Sequence, residues 1–303
     1  SKKTNEYLEK ISKRFDYYCN FFFNLNYVSN NNDYGSNLII NELKKNFIKS
    51  IICYDKLSVD FCKNILCDYK ENACLAEDNP NLMIHLPEDV MEEGRYHYDQ
   101  LGADENITIW TPITEYKYTA LTYYNVGALI YKLFKLFKID KLLPEQTIQV
   151  KKFRSIKWSG YFIHKGCLNT SNNISSAIIV GLKKSNKNNS NLIYENFTDE
   201  IIDHNFKMTL EFINYLNNNP KFKNLETEEK FEYIKKILLN YNFSINKLII
   251  AKILSVVAQR LFTNSRINKN FKDLSHLIDI GVYVLDKKNF SSLSRLKKTN
   301  FFN

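Results

Sequence analysis

Between Leu82 and Leu182 the chain breaks into short runs rich in β-branched and aromatic residues, each too brief to be stable alone. The runs are Leu82 to Leu86, Ile107 to Ile113, Leu121 to Tyr124, Thr147 to Phe153, Tyr161 to His164 and Ala177 to Leu182. Such residues favour strands, and isolated pairs of short strands are marginal in water, so the runs must share sheets. Many short strands with irregular connections predict a jelly roll or barrel. One segment breaks the series: Leu133, Phe134, Leu136 and Phe137 within residues 131–141 predict a helix inserted between strands.

Helical text flanks this core on both sides. Tyr7, Leu8, Ile11 and Phe15 fall near helical spacing. Asn30 to Gly35 is a turn cluster, and Ser50 to Tyr54 reads as a short strand. Ser58 is placed to cap a helix carrying Val59, Phe61, Cys62 and Ile65 on its apolar side. After Lys183 a Lys, Asn and Ser composition marks a linker, and Thr198, Thr227 and Ser244 each stand where a helix cap is expected, the last before an Ile245 to Phe262 helix. The expected fold class is therefore α+β: a helical segment over 1–78 packing on the core, a β core over 79–184, and a basic helical region over 185–303.

Two histidines and a carboxylate stand out inside the core. His97 and Asp99 form a His-x-Asp pair, and His164 follows 65 residues after Asp99. On a strand, positions i and i+2 point to one face, so a short segment delivers both side chains together. Two imidazoles and one carboxylate are the donor set of a mononuclear non-haem iron(II) site, which occupies one face of an octahedron and leaves the rest open to substrate and O2. A bare His-x-Asp is common by chance, and read from spacing alone the commoner arrangement is a hydrogen-bonded surface pair of His97 and Asp99, with His164 a core histidine.

The text around these residues adds to the pattern. His97-Tyr98-Asp99, then Ile107 to Glu115 (ITIWTPITE), then Ala120 to Tyr124 (ALTYY), then His164 to Ser171 (HKGCLNTS) resembles the phytanoyl-CoA dioxygenase family. The resemblance covers about residues 51 to 182. It implies a double-stranded β-helix core and an iron(II)- and 2-oxoglutarate-dependent oxygenase that hydroxylates a small molecule with O2. On this resemblance His97, Asp99 and His164 are the metal ligands, and Trp110 with its neighbours is pocket wall. Tyr96, Tyr98 and Tyr124 are expected near the metal. The family places an arginine about nine to eleven residues after the second histidine, where it pairs with the distal carboxylate of 2-oxoglutarate, a role suited to a bidentate guanidinium. Here Asn173, Ile174 and Ser175 fill that place. The Gly-Ser-His turn of the family is likewise replaced, by Asn125-Val126-Gly127. The candidates for a rebuilt anchor are Ser175, Ser176 and Thr111 as hydroxyl donors, and Lys117 or Lys152 as the cation. Two other readings stand beside this one: a metal-dependent oxygenase that does not use 2-oxoglutarate, and a non-catalytic binding protein built on a decayed oxygenase.

Charge and cysteine content bound the partners. The net charge of +9 is uneven: residues 183–303 hold 20 Lys+Arg against 12 Asp+Glu, and the first 182 hold 22 against 21. No long run of like charges and no nucleic-acid-binding motif accompanies that surplus, so a solvated helical surface or an oligomer contact through the C-terminal helices is expected. Six cysteines without a CxxC make a zinc site a poor reading, and reduced thiols point to the cytoplasm. No signal peptide and no membrane span are expected; the most apolar run, Leu248 to Phe262, is short and carries Lys252 and Arg260.

Overall fold

In the computed structural model the described residues are 2–23, 40–41, 44–45, 47–49, 51–53, 55–69, 73–76, 80–88, 96–97, 99, 107–184, 210–225, 229 and 233. The chain divides into two compact units, one of residues 1–29 with 48–197 and one of residues 30–47 with 198–303. The Asn30 to Gly35 turn, the caps at Thr198, Thr227 and Ser244, the Ile245 to Phe262 helix and Tyr98 lie outside the described residues.

The first unit opens with helix α1 (Lys2–Phe23). Leu8, Ile11, Phe15, Cys19 and Phe22 are buried at the expected three- and four-residue spacing. Helix α2 (Lys56–Asp68) packs on α1 and buries Val59, Phe61, Cys62 and Ile65. Ser58 is not its cap: it lies inside the helix, fully buried. Asp55 occupies the cap position in extended conformation, and its carbonyl accepts from the N–H groups of Ser58 and Val59. The Asp55 carboxylate is taken by an ion pair with Arg14 of α1, so electrostatic partnership between helices outweighs the usual side-chain cap. Residues 51–53 are helical, not a strand. Ile51, Ile52 and Cys53 are all buried, and a continuous apolar triplet does not by itself distinguish helix from strand.

Among the described residues eight strands follow: β1 (Ala73–Leu75), β2 (Asn81–His85), β3 (Ile107–Pro112), β4 (Leu121–Tyr124), β5 (Glu145–Ile148), β6 (Ile156–Ser159), β7 (Ile163–Gly166) and β8 (Ser175–Lys184). They form two antiparallel sheets. The larger has the order β1-β8-β3-β6, with β2 also on β8; the smaller has the order β5-β4-β7. Helix α3 (Ala128–Leu136) joins β4 to β5, as the periodicity predicts, though it begins three residues earlier.

Register decides which side chains meet. Trp110 pairs with Ile179 and Ile156, Thr108 with Gly181 and Trp158, Met83 with Ala177, and His85 with Ser175. Paired residues share a face, and faces alternate along each strand. One face of the larger sheet therefore carries His85, Thr108, Trp110, Trp158, Ser175 and Ala177. Trp110, Trp158 and Ala177 cluster there with Leu121 of the smaller sheet and with Tyr116, Tyr118 and Val150, so the core lies between the sheets. The opposite face carries Ile84, Thr111, Ser176 and Ile178, also buried. The Ser12 hydroxyl of α1 donates to the Ile113 carbonyl at 2.7 Å, tying the helix to the end of β3.

In the second unit, residues 210–218 are helical and bury Phe212, Ile213 and Leu216. A short helix, α4 (Pro220–Lys223), starts with proline in its first turn, and the Asn219 side chain accepts from the N–H groups of Lys221 and Phe222. The Asn219 amide also donates to the Tyr233 hydroxyl at 2.7 Å.

Candidate metal centre

The backbone brings His97 to His164. The two residues exchange both N–H to carbonyl hydrogen bonds, at 2.9 and 3.0 Å, as an isolated antiparallel bridge. Directly opposed residues project side chains to the same side, and the two imidazoles lie 4.6 Å apart between centroids. His164 is fixed in turn by β7, where it pairs with Tyr123 of β4. Asp99, two residues past His97, turns its carboxylate to the same point. Its Oδ1 lies 3.5 Å from His164 Nε2 and 3.8 Å from His97 Nε2. One ligand atom from each of the three side chains lies within 4.8 Å of the others.

Each donor is aimed by a neighbour. Asp99 Oδ2 accepts hydrogen bonds from Trp158 Nε1 and Thr108 Oγ1, both at 2.8 Å. Trp158 on β6 and Thr108 on β3 are a cross-strand pair, so the sheet register sets both bonds at once. That leaves Oδ1 directed at the imidazoles. On His164, Nδ1 lies 3.0 Å from the Phe162 carbonyl. That carbonyl can only accept, so Nδ1 carries the proton and Nε2 presents its lone pair toward Asp99. The Phe162 ring stacks on His164 at 5.6 Å and Trp158 flanks it at 5.0 Å. Burial among these rings holds the His164 pKa below the usual histidine range; Asp99 opposes that shift and His97 adds to it. Neutral imidazole is the metal-binding form.

The donor set, two neutral-capable imidazoles and a carboxylate, is that of the non-haem iron(II) facial arrangement. For ligand bonds of about 2.1 Å set at right angles, ligand atoms stand about 3 Å apart, so adjustments below one ångström in the Asp99–histidine separations suffice. The supporting shell, with both the carboxylate and a ring nitrogen hydrogen-bonded outward, is the usual accompaniment of metal ligands. Trp158, Thr108 and Phe162 are the functional neighbours that sequence reasoning missed. The available signal was the buried indole: Trp158 is one of two tryptophans, and a buried Nε1–H needs an acceptor.

The other predicted site residues separate into groups. Trp110 and Ser175 lie on the sheet face that carries Thr108 and Trp158. The Trp110 Nε1 and Ser175 Oγ are buried and have no hydrogen-bond partner among the described residues. Ser175 is the eleventh residue after His164, where the resembling family carries its arginine. Thr111 and Ser176 lie on the opposite face, because a step of one residue reverses a strand side chain. Their hydroxyls are engaged there: Thr111 with Ser155 at 2.8 Å, Ser176 donating to the Met83 carbonyl at 2.6 Å. Both hydroxyls therefore face away from Trp110 and Ser175. Lys117 is exposed. Lys152 lies over the Phe153 ring at 5.0 Å, and its positive charge is felt by Asp16 of α1. Tyr96 stacks on Tyr124 at 3.9 Å beside the His97 segment and donates to Thr122 Oγ1 at 3.2 Å. His85 is buried on the inner face with its ring against Tyr116.

No family profile and no curated protein matches the chain. Solved structures match in part. AviO1 from Streptomyces viridochromogenes Tue57 is 12% identical, with 44% of this chain and 58% of that chain covered and a TM-score of 0.33. SnoK, a non-heme alpha ketoglutarate dependent carbocyclase from nogalamycin biosynthesis, is 12% identical, with 42% and 53% covered and a TM-score of 0.32. HygX from Streptomyces hygroscopicus, solved with iron bound, is 6% identical, with 44% and 69% covered and a TM-score of 0.33. The match spans just over half the length of the first two.

Proposed function

We propose that this chain is a non-haem iron(II) oxygenase that uses 2-oxoglutarate to hydroxylate a small molecule. One observation carries the reading: His97, Asp99 and His164 bring one ligand atom each within 4.8 Å of one another, with the carboxylate and the buried imidazole each held from behind. A surface ion pair has no use for the Trp158 and Thr108 bonds that turn Asp99 Oδ1 inward. Strand order supports the double-stranded β-helix that such enzymes use. With the His97 bridge counted as a strand beside β7, the sheets read β2-β8-β3-β6 and His97-β7-β4-β5. The chain then crosses between sheets at nearly every connection, as a jelly roll requires.

The donor set fits iron(II). For 2-oxoglutarate the fit is different from the family's. A buried carboxylate needs a cation or several donors, and the two buried donors on the inner face, Ser175 Oγ and Trp110 Nε1, are uncharged. They would hold the distal carboxylate, with Ser175 in the arginine's place. When bound, iron(II) and 2-oxoglutarate supply O2 activation, with succinate and carbon dioxide as co-products. The chain's own residues do the rest. His97, Asp99 and His164 would hold the metal, the Phe162 and Trp158 rings exclude water from the His164 side, and the core aromatics Trp110 and Tyr116 shape the space between the sheets. All six cysteines are free thiols, in keeping with the reducing cytoplasm we propose for it.

The test is anaerobic titration of iron-loaded protein with 2-oxoglutarate, followed by succinate measurement in air. Binding and succinate release are expected. Iron binding without either result favours an oxygenase that does not use 2-oxoglutarate, a reading that the uncharged residue at 175 also favours. No metal binding at all favours the non-catalytic alternative.

A further inference from the structure

Helix α3 packs Tyr131 and Phe134 against the core and turns a second apolar row outward. Among the described residues eleven large apolar or aromatic side chains are exposed, and seven of them fall between Leu129 and Leu142. Leu129, Leu133 and Leu136 sit at i, i+4 and i+7, one stripe of the helix, with exposures of 71%, 47% and 73%. Phe137 and Leu142 extend the stripe past the helix end at 68% and 75%.

This segment is pinned to the core. Tyr131 is buried, its ring lies 5.9 Å from Tyr124, and its hydroxyl donates to the Tyr96 carbonyl at 3.2 Å. Leu143, just past the stripe, is buried in the same cluster as Ile163. The helix ends in a closed double hydrogen bond: Lys138 N–H to the Lys135 carbonyl at 3.1 Å and Ile139 N–H to the Phe134 carbonyl at 2.9 Å, with Lys138 at φ 59°. The packed side is thus satisfied through Tyr131 and Phe134, and the leucine stripe is left over by design of the same helix.

Charge indicates what covers it. Lys132, Lys135, Lys138 and Lys141 recur every third residue through the exposed stripe, against a single acid, Asp140. All four are exposed. Lysine is depleted from protein–protein interfaces, where leucine is also a poor hot spot. A lysine-flanked row of Leu, Ile and Phe is instead the composition of a helix that lies in a lipid interface, with the apolar row sunk among acyl chains and the ammonium groups among headgroups. We propose that the α3 segment, Leu129 to Leu142, docks the protein on an anionic membrane surface. The proposal is independent of the metal chemistry.

The test uses the full chain and flotation with vesicles of phosphatidylcholine plus phosphatidylserine, compared with phosphatidylcholine alone. The wild type is expected to float with the anionic vesicles, and to be released as salt screens the lysines. Each lysine near an anionic leaflet strengthens binding by about fivefold, so K135E/K138E/K141E should lose more than a hundredfold. L136E/L142E, which alters exposed side chains only, should lose at least tenfold with an unchanged thermal transition. If the leucine variant loses its fold, the lysine variant decides alone. Failure of the wild type to float overturns the proposal, as does flotation that neither variant weakens. A wild type that sediments as a dimer and becomes monomeric in L136E/L142E also overturns it, because a second copy would then cover the stripe. Addition or removal of iron should leave flotation unchanged, which separates this result from the fate of the oxygenase reading.

Discussion

Trp158→Phe removes the indole N–H from the candidate metal centre and leaves a smaller aromatic ring in its place. The indole N–H to Asp99 Oδ2 bond, at 2.8 Å, is one of two that hold the carboxylate, the other coming from Thr108. A hydrogen bond to a charged group contributes about 1.5–3 kcal/mol. If that energy is spent on aiming Oδ1 at the metal, its loss should weaken metal binding by about 10–100-fold, the range seen for outer-shell partners. The phenyl ring keeps the contacts to Phe162 and His164, which lie 5.9 and 5.0 Å from the indole, so the fold should survive. The assay is anaerobic calorimetric titration with iron(II), with manganese(II) as an air-stable check, beside a thermal melt. Thr108→Val should weaken binding in the same way, and the double variant by more than either. An unchanged dissociation constant in a folded Trp158→Phe protein would refute the claim that this bond orients the carboxylate.

Two further outcomes are expected. Ser175→Ala should weaken 2-oxoglutarate binding by about tenfold, the value of a lost donor to a carboxylate, without changing metal affinity; Ser176→Ala should leave 2-oxoglutarate binding alone, since that hydroxyl faces away, and paired anaerobic titrations distinguish the two. Among the cysteines, exposed Cys67 should react first with a thiol reagent, whereas burial pushes the Cys19 and Cys62 thiols up to about 12; the thiolate is the reactive form, so those two should stay silent even at about pH 9 until denaturant opens the fold, as peptide mapping would show.

Much of this molecule is readable without coordinates, for reasons of periodicity. The Leu8, Ile11, Phe15 spacing specifies α1, and Leu121 to Tyr124 emerges as a strand with the bounds expected. The His97 and Asp99 side chains come within 3.8 Å of each other, as the His-x-Asp spacing allows. What the text does not carry is register. Whether Ser175 or Ser176 faces the core depends on which residue of β2 sits opposite, and a slip of one residue reverses every side chain. The pairing His85 with Ser175 settles it. Trp158 stands 59 residues from Asp99, a contact created only when β6 joins β3. Lys138 ends α3 in a left-handed conformation without the glycine that normally signals such a stop. Residues 51–53 are helical because three buried apolar residues in a row fit either structure and packing decides.

The central claim is that three named side chains hold one metal ion. Anomalous diffraction from crystals grown with manganese(II) or iron(II) tests it most directly. The expected result is a single peak about 2.0–2.2 Å from His97 Nε2, Asp99 Oδ1 and His164 Nε2, lost in Asp99→Ala. A peak at other residues, or none at this triad in a crystal soaked to saturation, would contradict the account.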